Sequence, residues 1–212
     1  MTCREAITQS KLDLKGKTIH EQEGMYDYLV LLRMEGQDLS VEESRMSQRE
    51  SHGKKKVPLL VTNGFSTLAL IFHPYYQSSF EFSQQSEELV NGKHLLNVHF
   101  QPVQGARSPS ALMVGGNEYP LQLEGNAWIE LDTGAIVRIA AHLAAPLESV
   151  GLRRMESDVR YGPVPFEGGA ATYWLPASAS IEVETARQRW RNVHRFSAYR
   201  KFTVNSRIVP NP

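Results

Sequence analysis

The sequence predicts a mainly β chain of the α+β kind, built on antiparallel pairing, and three observations carry that expectation. Long stretches place apolar groups at every second position, short turns rich in Gly, Asn or Asp separate successive stretches, and only one segment has helical spacing. Strands that follow one another through tight turns pair with their sequence neighbours, so the connections are chiefly local. At 212 residues the length suits one domain spanning 1–212, and no repeat of fixed period occurs.

The alternation is first clear at Tyr26, Tyr28, Val30, Leu32 and Met34, with Asp27 and Arg33 among the intervening positions. Gly36-Gln37-Asp38 turns the chain, and Leu39 to Arg49 returns as a strand crowded with Glu42, Glu43, Arg45 and Arg49, a composition that suits a strand solvated on one face or at an edge better than a central one. Ser51 to Lys56, with three adjacent lysines, reads as a solvated loop. After Asn63-Gly64, the spacing of Phe65, Leu68, Ala69, Ile71 and Phe72 predicts one short buried helix that Pro74 ends. Phe80 and Phe82, the Asn91-Gly92 turn, and Leu96, Val98 and Phe100 then form a hairpin. Gln101 to Glu118 contains Pro102, Gly105, Pro109, Gly115 and Gly116 and reads as a surface excursion. Two strands, Ala127 to Leu131 and Ala135 to Leu143, flank the Asp132-Thr133-Gly134 turn. Three further strands are expected near Met155 to Val164, Thr172 to Thr185 and Phe196 to Ile208, the last pair separated by the polar stretch Ala186 to Asn192.

Composition excludes several classes of function. Twenty-three basic residues balance 23 acidic ones, so the global charge excess that counterion-release binding to nucleic acid exploits is missing. The one cysteine, Cys3, can form neither an internal disulfide nor a cysteine-built zinc site, and its position suggests an incidental residue near a frayed end. The longest apolar stretch, Leu59 to Phe72, is interrupted by polar residues and falls short of the roughly 18 to 20 residues of a membrane span.

No nucleophile elbow, P-loop, dinucleotide fingerprint, HExxH or EF-hand loop occurs, so no catalytic residue, metal ligand or cofactor is assigned. His94 and His99, five apart on one strand, face opposite ways. Glu182 and Glu184 share a strand face, as paired catalytic carboxylates do, but a solvated face explains them as well. Asp132 fits its turn, where Asp bonds the backbone and Gly supplies positive φ. Between Arg187 and Arg207 lie seven basic residues and no acidic one, interleaved with Trp190, Phe196, Tyr199 and Phe202. That is the composition of a single-stranded nucleic-acid surface. It is equally that of a strand with aromatics in the core and arginines outward or paired with Glu182 and Glu184, and the overall neutrality favours the second reading.

The run Gly125-Asn126-Ala127-Trp128-Ile129-Glu130-Leu131-Asp132-Thr133-Gly134-Ala135-Ile136-Val137-Arg138-Ile139 resembles a hairpin of the LolA/LolB-like superfamily of outer-membrane lipoprotein-sorting and carrier proteins. Asp158 to Val164, Tyr173 to Pro176 and Arg195 to Phe202 resemble segments of exported, uncharacterised acidobacterial proteins. The resemblance implies a strongly curved antiparallel sheet, a half-barrel, with one or a few short helices across its concave face. It implies a periplasmic or exported location, with a segment trimmed ahead of Cys3, and no catalysis.

The expected function is therefore a non-enzymatic periplasmic carrier or binding module for a lipid, a lipoprotein acyl chain or another apolar ligand. Phe65, Leu68, Phe72, Phe80, Phe82, Trp128 and Ile129 are the candidates to line its concave face. An envelope protein-interaction module is the alternative, using an edge strand or the basic-aromatic C-terminal face with Arg195 and Arg200 as contacts. A hydrolase with a dispersed site is the third reading.

Overall fold

The computed structural model describes residues 1–48, 64–65, 67–114, 117–166 and 171–201. Ten of the twelve strands among the described residues form one antiparallel sheet. In chain order the strands are β1 (Thr2–Leu12), β2 (Thr18–Glu35), β3 (Asp38–Ser47), β4 (Phe80–Val90), β5 (Lys93–Pro102), β6 (Ala111–Val114), β7 (Asn117–Pro120), β8 (Leu123–Glu130), β9 (Ala135–Leu143), β10 (Leu152–Pro165), β11 (Thr172–Thr185) and β12 (Arg189–Arg200). The large sheet runs β3-β2-β1-β12-β11-β10-β9-β8-β5-β4, and β6 pairs with β7 as a separate ribbon. The sheet curves but does not close, so β3 and β4 are its two edges.

Turn chemistry sets the hairpin registers. Val90 pairs with Lys93 across Asn91 (φ 51°) and Gly92 (φ 78°), both in the left-handed region that a two-residue hairpin turn requires. Glu130 pairs with Ala135 across a loop that ends on Gly134 (φ 68°). There Thr133, not Asp132, supplies the side-chain bonds: its hydroxyl donates to Glu130 Oε2 at 2.8 Å and accepts from the Ala135 N–H at 3.2 Å. Pro176 stands inside β11 without breaking it, because the register shifts by one residue there, pairing Arg160 with Ser178 but Tyr161 with Pro176.

Several elements differ from the sequence expectation. Cys3 is not at a frayed end: β1 is a central strand between β2 and β12, and Cys3 is buried. Strand β12 starts at Arg189, within the stretch expected to be a connection, because its inward positions carry the polar Asn192 and His194, which break the apolar alternation. The expected helix is a 3₁₀ turn, Leu68–Phe72, and Pro74 does not end it but opens the one-turn helix α1 (Pro74–Gln77) at a position where its missing N–H costs nothing. The surface excursion contains the β6–β7 ribbon. The loop Ser51 to Lys56 and the end of the last expected strand lie outside the described residues.

The connection from β3 to β4 joins the two edges of the sheet, so the 3₁₀ turn and α1 cross its concave side. They act as a plug: Leu68 and Ile71 are fully buried, in one apolar cluster with Phe80, Phe100, Ile139 and Val159. Burial of each such aliphatic side chain contributes about 1.5–3 kcal/mol. Gly125 marks a close approach of β8 to β9, since a Cβ there would sit 2.1 Å from the Ala140 carbonyl oxygen.

Candidate functional site

Opposed residues on adjacent strands share a face, and the pairings therefore sort side chains into inner and outer sets. On the inner face, Tyr28 lies beside Cys3, Glu5 beside Phe196, His194 beside Ala179, and Ala179 beside Val159. The plug covers only part of this face. Between its Thr67, Ala69 and Leu70 and the strands β1, β2, β10, β11 and β12 there remains a cleft of about 180 Å³. Cys3, Tyr28, Val30, Leu32, Tyr161, Trp174, Leu175, Pro176 and Tyr199 complete its walls, with Met1 and Thr2.

The Tyr199 and Tyr161 hydroxyls of this lining are engaged within the protein. Tyr199 donates to the Pro176 carbonyl at 2.5 Å, and the Tyr161 hydroxyl accepts from the Ala69 N–H at 3.1 Å, which ties the plug to β10. Burial pushes the Tyr161 and Tyr199 hydroxyls well above the ordinary phenol range and the Cys3 thiol up to about 12. All three stay neutral, and Cys3 is no nucleophile at neutral pH. The exposure of Leu32 (52%) and Met1 (40%) is consistent with a cleft that opens to solvent.

Behind Cys3 and Tyr28 sits a buried ionic cluster. Glu5, fully buried, accepts from Arg45 Nε at 2.6 Å and Nη2 at 3.1 Å and contacts His194 Nδ1 at 2.8 Å. An ionised carboxylate only accepts, so His194 Nδ1 carries the proton. Burial raises the Glu5 pKa, but the bonds from His194 and Arg45 outweigh it and hold the carboxyl below its usual range. The Arg45 guanidinium also stacks on Tyr28, 4.7 Å from the ring centre, so the cluster braces one cleft wall and binds edge strand β3 to β1.

The residues expected to line a concave ligand face divide into three groups. Phe65, Leu68 and Phe80 are buried in the plug core, with Phe72 and Phe82 packed on it and their rings 5.2 Å apart. None of these five borders the cleft. Ile129 lies on the inner face between Leu96 and Ile136, toward the β4 side. Trp128 does not join it: adjacent residues on a strand point to opposite faces, and Trp128 is on the outer one beside Asn97 and Arg138. Arg195 and Arg200 are both exposed, and the irregularity at Ala198 (φ 52°) turns them to the same outer face, next to Arg4. Arg189 and Arg191 instead bind Glu182, at 2.9 and 2.7 Å, as the structural reading of the basic segment expects.

The cleft residues were missed because they come from five strands and the plug, so no one segment of the sequence carries them. The alternation at Tyr28, Val30 and Leu32 marked a strand but could not say what faced it. Among the described residues, no group of three or more His, Cys, Asp or Glu side chains is placed to hold a metal ion, and no helix is long and apolar enough to cross a membrane.

No protein-family model matches the chain, and neither does any curated protein. Among solved structures it is similar to a domain from Vibrio parahaemolyticus named for outer membrane lipoprotein sorting, at 8% identity and a TM-score of 0.42, over 94% of this chain and 87% of that one. It is also similar to a DUF1329 family protein from Desulfovibrio piger, at 13% identity and a TM-score of 0.44, over 92% of this chain and 83% of that one.

Proposed function

We propose that the chain is a non-enzymatic binding module that takes the end of an acyl chain, from a lipid or a lipoprotein, into the cleft between the plug and strands β1, β2, β10, β11 and β12. The observation that carries this reading is the cleft itself, apolar in its walls and left open by a sheet that does not close. Its volume limits the guest. A cavity of about 150 Å³ takes one benzene, so about 180 Å³ takes one ring-sized group or a chain end of roughly six carbons. At about 0.8 kcal/mol per buried CH₂, such an end gains roughly 5 kcal/mol, which corresponds to sub-millimolar binding before any ordering cost. The cleft anchors a chain end and does not enclose a whole lipid. A periplasmic or exported site of action belongs to the same proposal and agrees with the resemblance of the Gly125 to Ile139 hairpin.

Titration with a fluorescent fatty acid, together with native mass spectrometry of protein purified from its own source, tests the reading. Saturable uptake that Ala69→Phe abolishes by filling the cleft is the expected result. A bare mass and no saturable uptake overturn it.

A second reading, a module that captures an envelope protein, is supported by the outward grouping of Arg4, Arg195 and Arg200. It expects Arg195→Glu/Arg200→Glu to abolish capture in a pull-down while leaving fatty-acid uptake unchanged.

A further inference from the structure

The pairings place a set of arginines on the outer face of the sheet, away from the cleft. Arg4 on β1 stands opposite Ser197 on β12, and Arg195 and Arg200 are the outward positions on either side of Ser197. Diagonal neighbours on paired strands lie about 7–8 Å apart, so Arg4 is close to both. All three are exposed, and among the described residues none of them makes an ion pair. The row continues across the sheet: Arg195 lies beside Ser178, Ser178 beside Arg160, and Arg160 beside Arg138. Four strands at the usual spacing carry that row over about 14 Å.

Two carboxylates stand among these five arginines. Asp158 serves two of them at once, since Arg138 Nε donates to its Oδ2 at 2.9 Å while Arg160 Nε lies 3.5 Å from its Oδ1. Asp27 stands opposite Arg4, and its Oδ1 accepts from Gln48 Nε2 at 2.6 Å. The face is therefore basic although the chain as a whole is neutral. Arg4, Arg195 and Arg200 keep their donors turned to solvent, where an anionic partner can take them.

The surroundings of the arginines select the kind of anion. The outward side chains between them, Ala6, Ser178 and Ser197, are small, so the charge lies on an open face and not in a pocket shaped for one phosphate. The rings on which a single-stranded nucleic acid would stack are turned inward: Phe196 is buried, Tyr199 lines the cleft and Trp190 packs on the core. Beside the arginines stand two methionines instead. Met25, opposite Ala6, is 43% exposed, and Met46, opposite Asp27, is 61% exposed. Arginines next to exposed apolar side chains match the boundary of a bilayer, where headgroup phosphates overlie acyl chains.

We propose that this face docks the protein on an anionic lipid bilayer, with Arg4, Arg195 and Arg200 on headgroup phosphates and Met25 and Met46 at the acyl boundary. The surface needs no occupant in the acyl cleft, and it gives the outward arginines a different partner from the envelope protein of the second reading.

Co-sedimentation of the whole protein with vesicles tests it, using phosphatidylcholine alone and an equal mixture of phosphatidylcholine and phosphatidylglycerol. Binding to the mixed vesicles only is expected, with release at about 1 M salt, where the Debye length falls to about 3 Å. One arginine at an anionic surface multiplies partitioning about fivefold. Arg195→Gln should therefore weaken binding about fivefold, and Arg4→Gln/Arg195→Gln/Arg200→Gln about a hundredfold. Arg153→Gln removes the same charge from an exposed position outside the patch and should leave binding unchanged. Each variant is checked for an unchanged circular dichroism spectrum. Failure to bind the mixed vesicles, equal binding to phosphatidylcholine alone, equal effects of Arg195→Gln and Arg153→Gln, or displacement from the vesicles by a single-stranded oligonucleotide overturns the proposal.

Discussion

Arg45→Met isolates the buried ionic cluster. The substitution keeps most of the side-chain volume and removes both hydrogen bonds to Glu5, which lies at 0% exposure. Among the described residues Glu5 keeps His194 as a partner, and Glu43, 3.7 Å from Arg45, loses a counter-charge. Breaking a buried pair from one side costs about 3–5 kcal/mol. The surviving His194 bond places the expectation at the lower end, about 3 kcal/mol at pH 7, out of a total stability of about 5–15 kcal/mol.

The pH dependence gives a sharper reading than the magnitude. In the native protein the Glu5 pKa is lowered. Its contribution to stability is therefore present above the unfolded value near 4.5 and is lost as pH falls through the native value. Without Arg45, burial acts with less opposition and the native Glu5 takes up its proton more readily, which relieves the variant but not the wild type. The difference between the two should narrow between pH 7 and pH 4. Urea unfolding at fixed pH steps measures it. A difference under about 1 kcal/mol at pH 7, or one that stays constant down to pH 4, refutes the account. Glu5→Met combined with Arg45→Met should recover much of the loss, because two apolar groups replace a pair whose desolvation was costly.

Leu68→Ala removes a fully buried plug residue and should cost about 2–5 kcal/mol in chemical unfolding; a loss under about 1 kcal/mol would mean the plug is loosely packed. Gly125→Ala places a Cβ 2.1 Å from the Ala140 oxygen, so β8 must move away from β9. Soluble protein with an unchanged melting temperature would contradict that register. Cys3, buried with a thiol pKa near 12, should resist alkylation at pH 8 in native protein and react promptly in denaturant. Rapid labelling of the native state would show that a reagent reaches the thiol through the cleft that Cys3 lines and that the thiol is not held neutral there.

Much of the local structure was legible in the residues. Asn91-Gly92 and the Gly134 turn specify hairpins by backbone geometry, and the charge-crowded segment after Gly36 is the edge strand β3. The plug was legible as an apolar run, although its helix type was not, because 3₁₀ and α spacings differ little over five residues.

The candidate site was much less legible, and Trp128 and Ile129 show why. Both are large, apolar and adjacent, which suggested one lining, yet strand geometry sends neighbours to opposite faces. Only the pairing partners say which face is inside. Glu5 and His194 make the same point, since 189 residues separate two halves of one hydrogen bond. Each alone looks like a surface residue, and their burial follows from β1 pairing with β12.

The sequence by itself therefore determined the period-2 strands, the turns between neighbours and the balance of charge, because these depend on residues close together in the chain. The tertiary structure alone decided the β1–β12 seam, the inward turn of Glu5, Asn192 and His194, the open cleft and the outward grouping of arginines. Each of these depends on which distant strands lie side by side, and a repeat of two is the same for either face of a sheet.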